Sequence, residues 1–100
     1  MLIQRWQAPE FPTREQLMSL LEREAIEPSI ETWSGHVEIK EHRHPWTEIL
    51  VVTRGELVVD LGGHQVLLRQ GDRIDIPAYT KHSYKILSSS GVELVMGLKI

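Results

Sequence analysis

Three histidines and one glutamate stand at a spacing that suits a metal ion: His42-x-His44-x3-Glu48, with His82 following 34 residues after Glu48. Imidazole nitrogens and carboxylate oxygens are donors for divalent first-row transition ions, and Mn, Fe, Co, Ni, Cu and Zn all tolerate three nitrogens and one oxygen. The chain has no cysteine. Thiolate ligands, disulfides and a cysteine nucleophile are therefore excluded, and any metal must be held by nitrogen and oxygen. Four protein ligands around a six-coordinate ion leave two positions for water, substrate or dioxygen. One carboxylate against a divalent ion leaves net positive charge, which attracts an anionic or enolisable small molecule. The chemistry to expect is Lewis-acid polarisation of a carbonyl or activation of bound water.

The elements that must position these donors read as short strands. Alternate residues of a strand share a face, so His42 and His44 can point the same way. Pro45-Trp46-Thr47 then turns the chain, and Glu48 opens the apolar run Ile49-Leu50-Val51-Val52. Strands are expected at 29–33, 36–43, 48–54, 56–61, 64–69, 72–76, 82–87 and 92–99. Gly62-Gly63 marks a two-residue hairpin turn. Gly55, Gly71 and Ser88-Ser89-Ser90-Gly91 mark further turns. Ahead of the strands, residues 1–12 read as irregular, with Pro9 and Pro12 breaking any helix. Thr13-Arg14-Glu15-Gln16 has the capping-box pattern. One amphipathic helix is expected over roughly 14–25, with Leu17, Leu20 and Leu21 packing on the domain and Pro28 closing the segment. Seven or eight short strands so spaced suggest a sandwich, jelly roll or barrel.

At this point the chain resembles the cupin superfamily. The first cupin motif, G-x5-H-x-H-x(3,4)-E-x6-G, is met by Gly35, His42, His44, Glu48 and Gly55, with six residues in place of five before His42. The second, G-x5-P-x-G-x2-H-x3-N, is met by Gly71, Pro77 and His82, with Tyr79 in place of the glycine and Ile86 in place of the asparagine. The resemblance covers about residues 29 to 99. It implies an all-β double-stranded β-helix, a jelly-roll barrel, with one short N-terminal α-helix. The segment 1–28 would precede a barrel domain at 29–100. It also implies that His42, His44, Glu48 and His82 are the metal ligands. The extra residue before His42 would flip the strand phase unless a β-bulge near Lys40-Glu41 absorbs it. Such a bulge would turn Val37 and Ile39 inward with the histidines. Tyr79 does not take a positive φ easily, so that turn is expected to be reshaped.

Tyr84, two residues after His82, should face the same interior side and is the candidate catalytic residue. Trp33, Trp46 and Tyr79 read as wall and core, and His36, His64, Arg43 and Lys81 as solvent-facing. Arg69-Gln70-Gly71-Asp72 reads as a turn. Two functions follow: a metal-dependent enzyme on a small organic molecule (dioxygenase, isomerase or lyase), or a non-catalytic cupin that binds a metal or small ligand to sense or store it. A metal-free, epimerase-like cupin fits less well, because the ligand set is intact.

A net charge of -3 with no basic run argues against nucleic acid. No apolar run reaches membrane-spanning length. The sequence Met1-Leu2-Ile3-Gln4-Arg5-Trp6 has no apolar core of signal-peptide length, so a cytoplasmic location is expected. The apolar residues Leu2, Ile3, Trp6 and Phe11 are expected to support a homodimer.

Overall fold

The computed structural model describes residues 2–100, and the side chain of Leu2 lies outside the described residues. Nine strands and one helix form in the order β1 (Leu2–Gln4), α1 (Arg14–Arg23), β2 (Ser29–Trp33), β3 (Glu38–His42), β4 (Thr47–Arg54), β5 (Leu57–Leu61), β6 (His64–Leu68), β7 (Arg73–Ile76), β8 (His82–Lys85) and β9 (Val92–Lys99). They build two antiparallel sheets, β1-β7-β4-β9-β2 and β3-β8-β5-β6. From β2 to β5 and again from β6 to β9 consecutive strands alternate between the sheets, with the β5–β6 hairpin between them, so the chain wraps a jelly roll around one core.

That core is the alternation of the strands made physical. Leu50, Val52, Ile74, Ile76, Val92 and Leu94 from the five-stranded sheet meet Leu57, Val59, Leu68, Tyr84 and Ile86 from the other side, all of them buried. The other face of the five-stranded sheet is also apolar at Ile49, Val51 and Val95, and Leu17, Leu21 and Ile26 cover it. Burying each such side chain contributes about 1.5–3 kcal/mol. The helix begins as its capping box dictates: Thr13 Oγ1 accepts from the Gln16 amide, and Gln16 Oε1 accepts from the Thr13 amide. It ends two residues before the expected limit. The Ile26 amide bonds to Leu21 O and the Ala25 amide to Glu22 O. Ala25 sits at φ 62° between them, which is a Schellman stop made without glycine. Leu20 departs from expectation. It is 43% exposed, because the stripe that meets the sheet is carried by Leu17 and Leu21.

The N-terminal residues are less irregular than their prolines suggest. Leu2–Gln4 pairs antiparallel with Arg73–Asp75 as an edge strand. The anchor is Asp72, whose buried carboxylate accepts from the amides of Trp6 and Arg69 and from the Arg5 guanidinium. The 69–72 segment is thus more than a turn. Ile3 packs on the core and Trp6 on Gly71, while Phe11 remains 60% exposed. At the hairpin between β5 and β6, Gly62 and Gly63 both take positive φ, as its two-residue turn requires. No described helix is long and apolar enough to cross a membrane.

Candidate metal centre

The six-residue interval before His42 is resolved by a bulge. β3 pairs with β8 as Ile39↔Tyr84 and then His42↔His82, with a register shift between. Three steps along β3 match two along β8, so one of Lys40 and Glu41 is extra. Ile39 comes inward against the core as expected. Val37 does not: it precedes β3 and is 38% exposed, and its carbonyl accepts from the Ile86 amide. The bulge also turns the Lys40 carbonyl onto His42 Nδ1 at 2.8 Å.

His82 is fixed in the same way, with Nδ1 2.8 Å from Thr80 O. A carbonyl only accepts, so Nδ1 carries the proton in both rings and Nε2 is left with a free lone pair, the form a metal ligand needs. His44 comes from the loop after β3, and its ring stacks on Trp46 at 4.6 Å with planes 5° apart. Glu48 comes from β4 in the opposing sheet, opposite Ile76 and Leu98.

The four side chains close on one point at one end of the barrel. Their donor atoms all lie within 4.8 Å of one another. Glu48 Oε2 is 3.2 Å from His44 Nε2 and 3.3 Å from His82 Nε2. Two donors each about 2.1 Å from one cation, at right angles, lie about 3 Å apart, so the spacing suits coordination. Glu48 Oε2 and His82 Nε2 are buried and make no hydrogen bond. Two lone pairs turned toward each other in an apolar enclosure are costly unless a cation lies between them. The residues present therefore fit a divalent metal. His42 and His44 are half-buried while Glu48 and His82 are buried, so the site opens on the side of His42 and His44.

Tyr84 lies one step deeper on β8, its ring centroid 5.2 Å from that of His82 and 5.8 Å from that of His42. Its hydroxyl is buried without a hydrogen-bond partner of good geometry. Burial first, and then the Glu48 charge, hold the phenol well above the usual tyrosine range. Trp33 packs on its other side. As expected, Arg43, Lys81, His36 and His64 are exposed.

The turn before His82 keeps its left-handed residue. Tyr79 adopts φ 64° and the turn is not reshaped, because the Tyr79 amide bonds to His44 O at 2.6 Å and ties the turn before His82 to the loop that carries His44. Sequence reasoning missed Lys40 O and Thr80 O as the atoms that orient the imidazoles. Both are backbone groups, for which residue type carries no signal. A cavity of about 670 Å³ between the N-terminal segment and α1 shares no residue with the cluster.

Among known proteins, the Cupin domain family matches residues 29–97. A comparison with curated proteins gives no match. Solved structures with the same fold include a cupin-2 domain containing protein from Shewanella frigidimarina, 17% identical with a TM-score of 0.66, covering 75% of this chain and 71% of its own. KdgF from a Halomonas species is 20% identical, with a TM-score of 0.65 and coverage of 75% and 70%. The DMSP lyase DddQ from Ruegeria pomeroyi is 18% identical with a TM-score of 0.67, matching 75% of this chain but 38% of the lyase.

Proposed function

Because the chain belongs to the cupin family, we propose that His42, His44, Glu48 and His82 bind one divalent transition-metal ion, at which a small oxygen-bearing organic molecule is held or transformed. The observation that carries this reading is the pair of buried, unbonded atoms, Glu48 Oε2 and His82 Nε2, 3.3 Å apart. When bound, the metal supplies Lewis acidity to a carbonyl, enolate or water oxygen. The chain supplies the rest. The Lys40 and Thr80 carbonyls hold two imidazoles in one tautomer, and Trp46 stacking holds the third. The core residues beneath the cluster exclude water. Tyr84, kept protonated by burial and by Glu48, is the group that donates a hydrogen bond or proton to a ligand oxygen.

The substrate class this suits is a small anionic or enolisable molecule, and the reactions to screen are those of a dioxygenase, isomerase or lyase. One structural neighbour is a lyase. A second reading, a non-catalytic metal- or ligand-binding module, is favoured by one observation. Among the described residues, the buried polar side chains besides Glu48 and His82 are Thr53 and Asp72. Both are occupied by structural bonds, Thr53 to Glu93 and Asp72 to the N-terminal segment. Tyr84 is then the one acid–base candidate.

Elemental analysis of protein purified without a metal-affinity column, repeated for His44→Ala, tests the centre. The expected result is about one metal per wild-type chain and loss in the variant. Metal-free wild type that also fails to take up added Co, Zn, Fe, Mn, Ni or Cu would refute it. Dioxygen uptake by the iron-loaded protein across a panel of small acids then separates an oxygenase from a binding module.

A further inference from the structure

Four buried side-chain atoms among the described residues make no hydrogen bond: Trp46 Nε1, Glu48 Oε2, His82 Nε2 and Tyr84 Oη. Their residues gather at one place. Glu48 and His82 are two of the four metal-donor residues, the Tyr84 ring lies beside those of His42 and His82, and the Trp46 ring lies on that of His44. By chemistry the four divide. Glu48 Oε2 and His82 Nε2 present lone pairs, which a cation satisfies. The Tyr84 hydroxyl can donate or accept. The indole N–H of Trp46 only donates, so a cation leaves it unsatisfied.

Trp46 stands in the loop between β3 and β4, two residues after His44 and two before Glu48. It is half-buried, yet its polar atom is the part withdrawn from water. An indole at a rim ordinarily does the opposite and keeps its N–H wet or bonded. Trp6 follows that rule, its Nε1 donating to Glu10 O at 2.8 Å. Stacking does not replace the hydrogen bond for Trp46. The indole plane lies 5° from that of His44, so the N–H, which lies in that plane, runs alongside the imidazole and not into its face. What this N–H is placed to meet is an acceptor beside His44, on the side where the site opens.

We infer that the site takes a molecule bearing a carboxylate, and that Trp46 Nε1 donates to one carboxylate oxygen while the metal holds the other. This rests on the metal reading above. It narrows that reading from anions and enolisable molecules in general to ligands that offer an acceptor next to the atom at the metal. Trp46 then has two parts to play: its ring holds His44, and its N–H selects the ligand.

The test uses cobalt-loaded protein titrated with acetate and, separately, with imidazole, followed by the visible cobalt spectrum. Both probes bind metals, but imidazole offers no acceptor once its lone pair is on the ion. Trp46→Phe keeps an aromatic ring for His44 and removes the donor. Acetate should bind roughly 10- to 100-fold more weakly to the variant, the range for one charge-assisted hydrogen bond. Imidazole should bind both proteins equally. In zinc-loaded wild type, acetate should move the Trp46 indole proton signal downfield. The three indole signals are told apart with Trp6→Phe and Trp33→Phe, so this arm does not need the Trp46 variant to fold. Equal acetate binding by variant and wild type, equal losses for acetate and imidazole, an unmoved indole signal, or no acetate binding by loaded wild type overturns the carboxylate assignment and leaves the metal reading standing. Protein that takes up none of Co, Zn, Fe, Mn, Ni or Cu overturns both.

Discussion

His82 shows how a single side chain is made ready for a metal: its Nδ1 is spent on Thr80 O, and its Nε2 is left buried and unbonded beside Glu48. A ligand that binds only the folded state stabilises it, by about 2.7 kcal/mol at a hundredfold excess over its dissociation constant. Added metal at that excess should raise the melting temperature of the wild type by about 11–22 °C, since 1 kcal/mol is worth about 4–8 °C in a domain of this size. The same addition should leave His82→Ala unmoved. Tyr79 carries a different cost. An L-residue with a β-carbon in the left-handed region is disfavoured by about 1 kcal/mol, and Tyr79 is held there by its bond to His44 O. Tyr79→Gly should therefore raise thermal stability by about 1 kcal/mol in a melt while metal content is retained. A loss of stability would mean that the phenol ring makes a contact that outweighs the backbone strain.

Among the elements, β3 matters most to the site. Its bulge lets Ile39 and His42 face inward despite the interval of three between them. Deleting Glu41 restores the regular interval and leaves His42 opposite His82, so the fold and a stoichiometric site should survive. Lys40 O would then be displaced from His42 Nδ1, and removing such an orienting partner weakens metal affinity by roughly tenfold or more. Competition with a chelator of known affinity measures this. The helix is secured by its own apolar stripe. Leu17→Ala should cost about 2–4 kcal/mol in denaturant unfolding, because Leu17 is 5% exposed against the outer face of the five-stranded sheet.

For the molecule as a whole, one carboxylate, that of Asp72, gathers three of the polar contacts that join the N-terminal segment and the 69–72 turn to the barrel, beside the β1–β7 pairing. Burial works against the charge of Asp72, but the Arg69 and Trp6 amides and the Arg5 guanidinium outweigh it and hold its carboxyl below the usual aspartate range. The folded state thus binds fewer protons there than the unfolded chain. Its contribution is present in full above the ordinary aspartate pKa of about 3.9 and is lost as pH falls through the lower folded value. Asp72→Asn should destabilise the protein at neutral pH by about 1–3 kcal/mol, the cost of leaving buried donors poorly satisfied. The gap between variant and wild type should close as pH is lowered toward about 2, in urea unfolding followed across pH.

Much of this was legible before any coordinates. The capping box at Thr13, the Gly62-Gly63 turn and eight of the strands, β2 to β9, are local patterns. The spacing of His42, His44, Glu48 and His82 specified the donor types, and the interval before His42 called for a bulge. Other features depend on which strands lie side by side, and residue types along the chain do not encode that. The edge strand at Leu2–Gln4, the three donors on Asp72 and the carbonyls behind two histidines are all of this kind. Chain chemistry chose the candidate donors. Register between strands far apart in sequence decided what surrounds them, because a backbone carbonyl or a shared sheet face exists only once two such strands have paired.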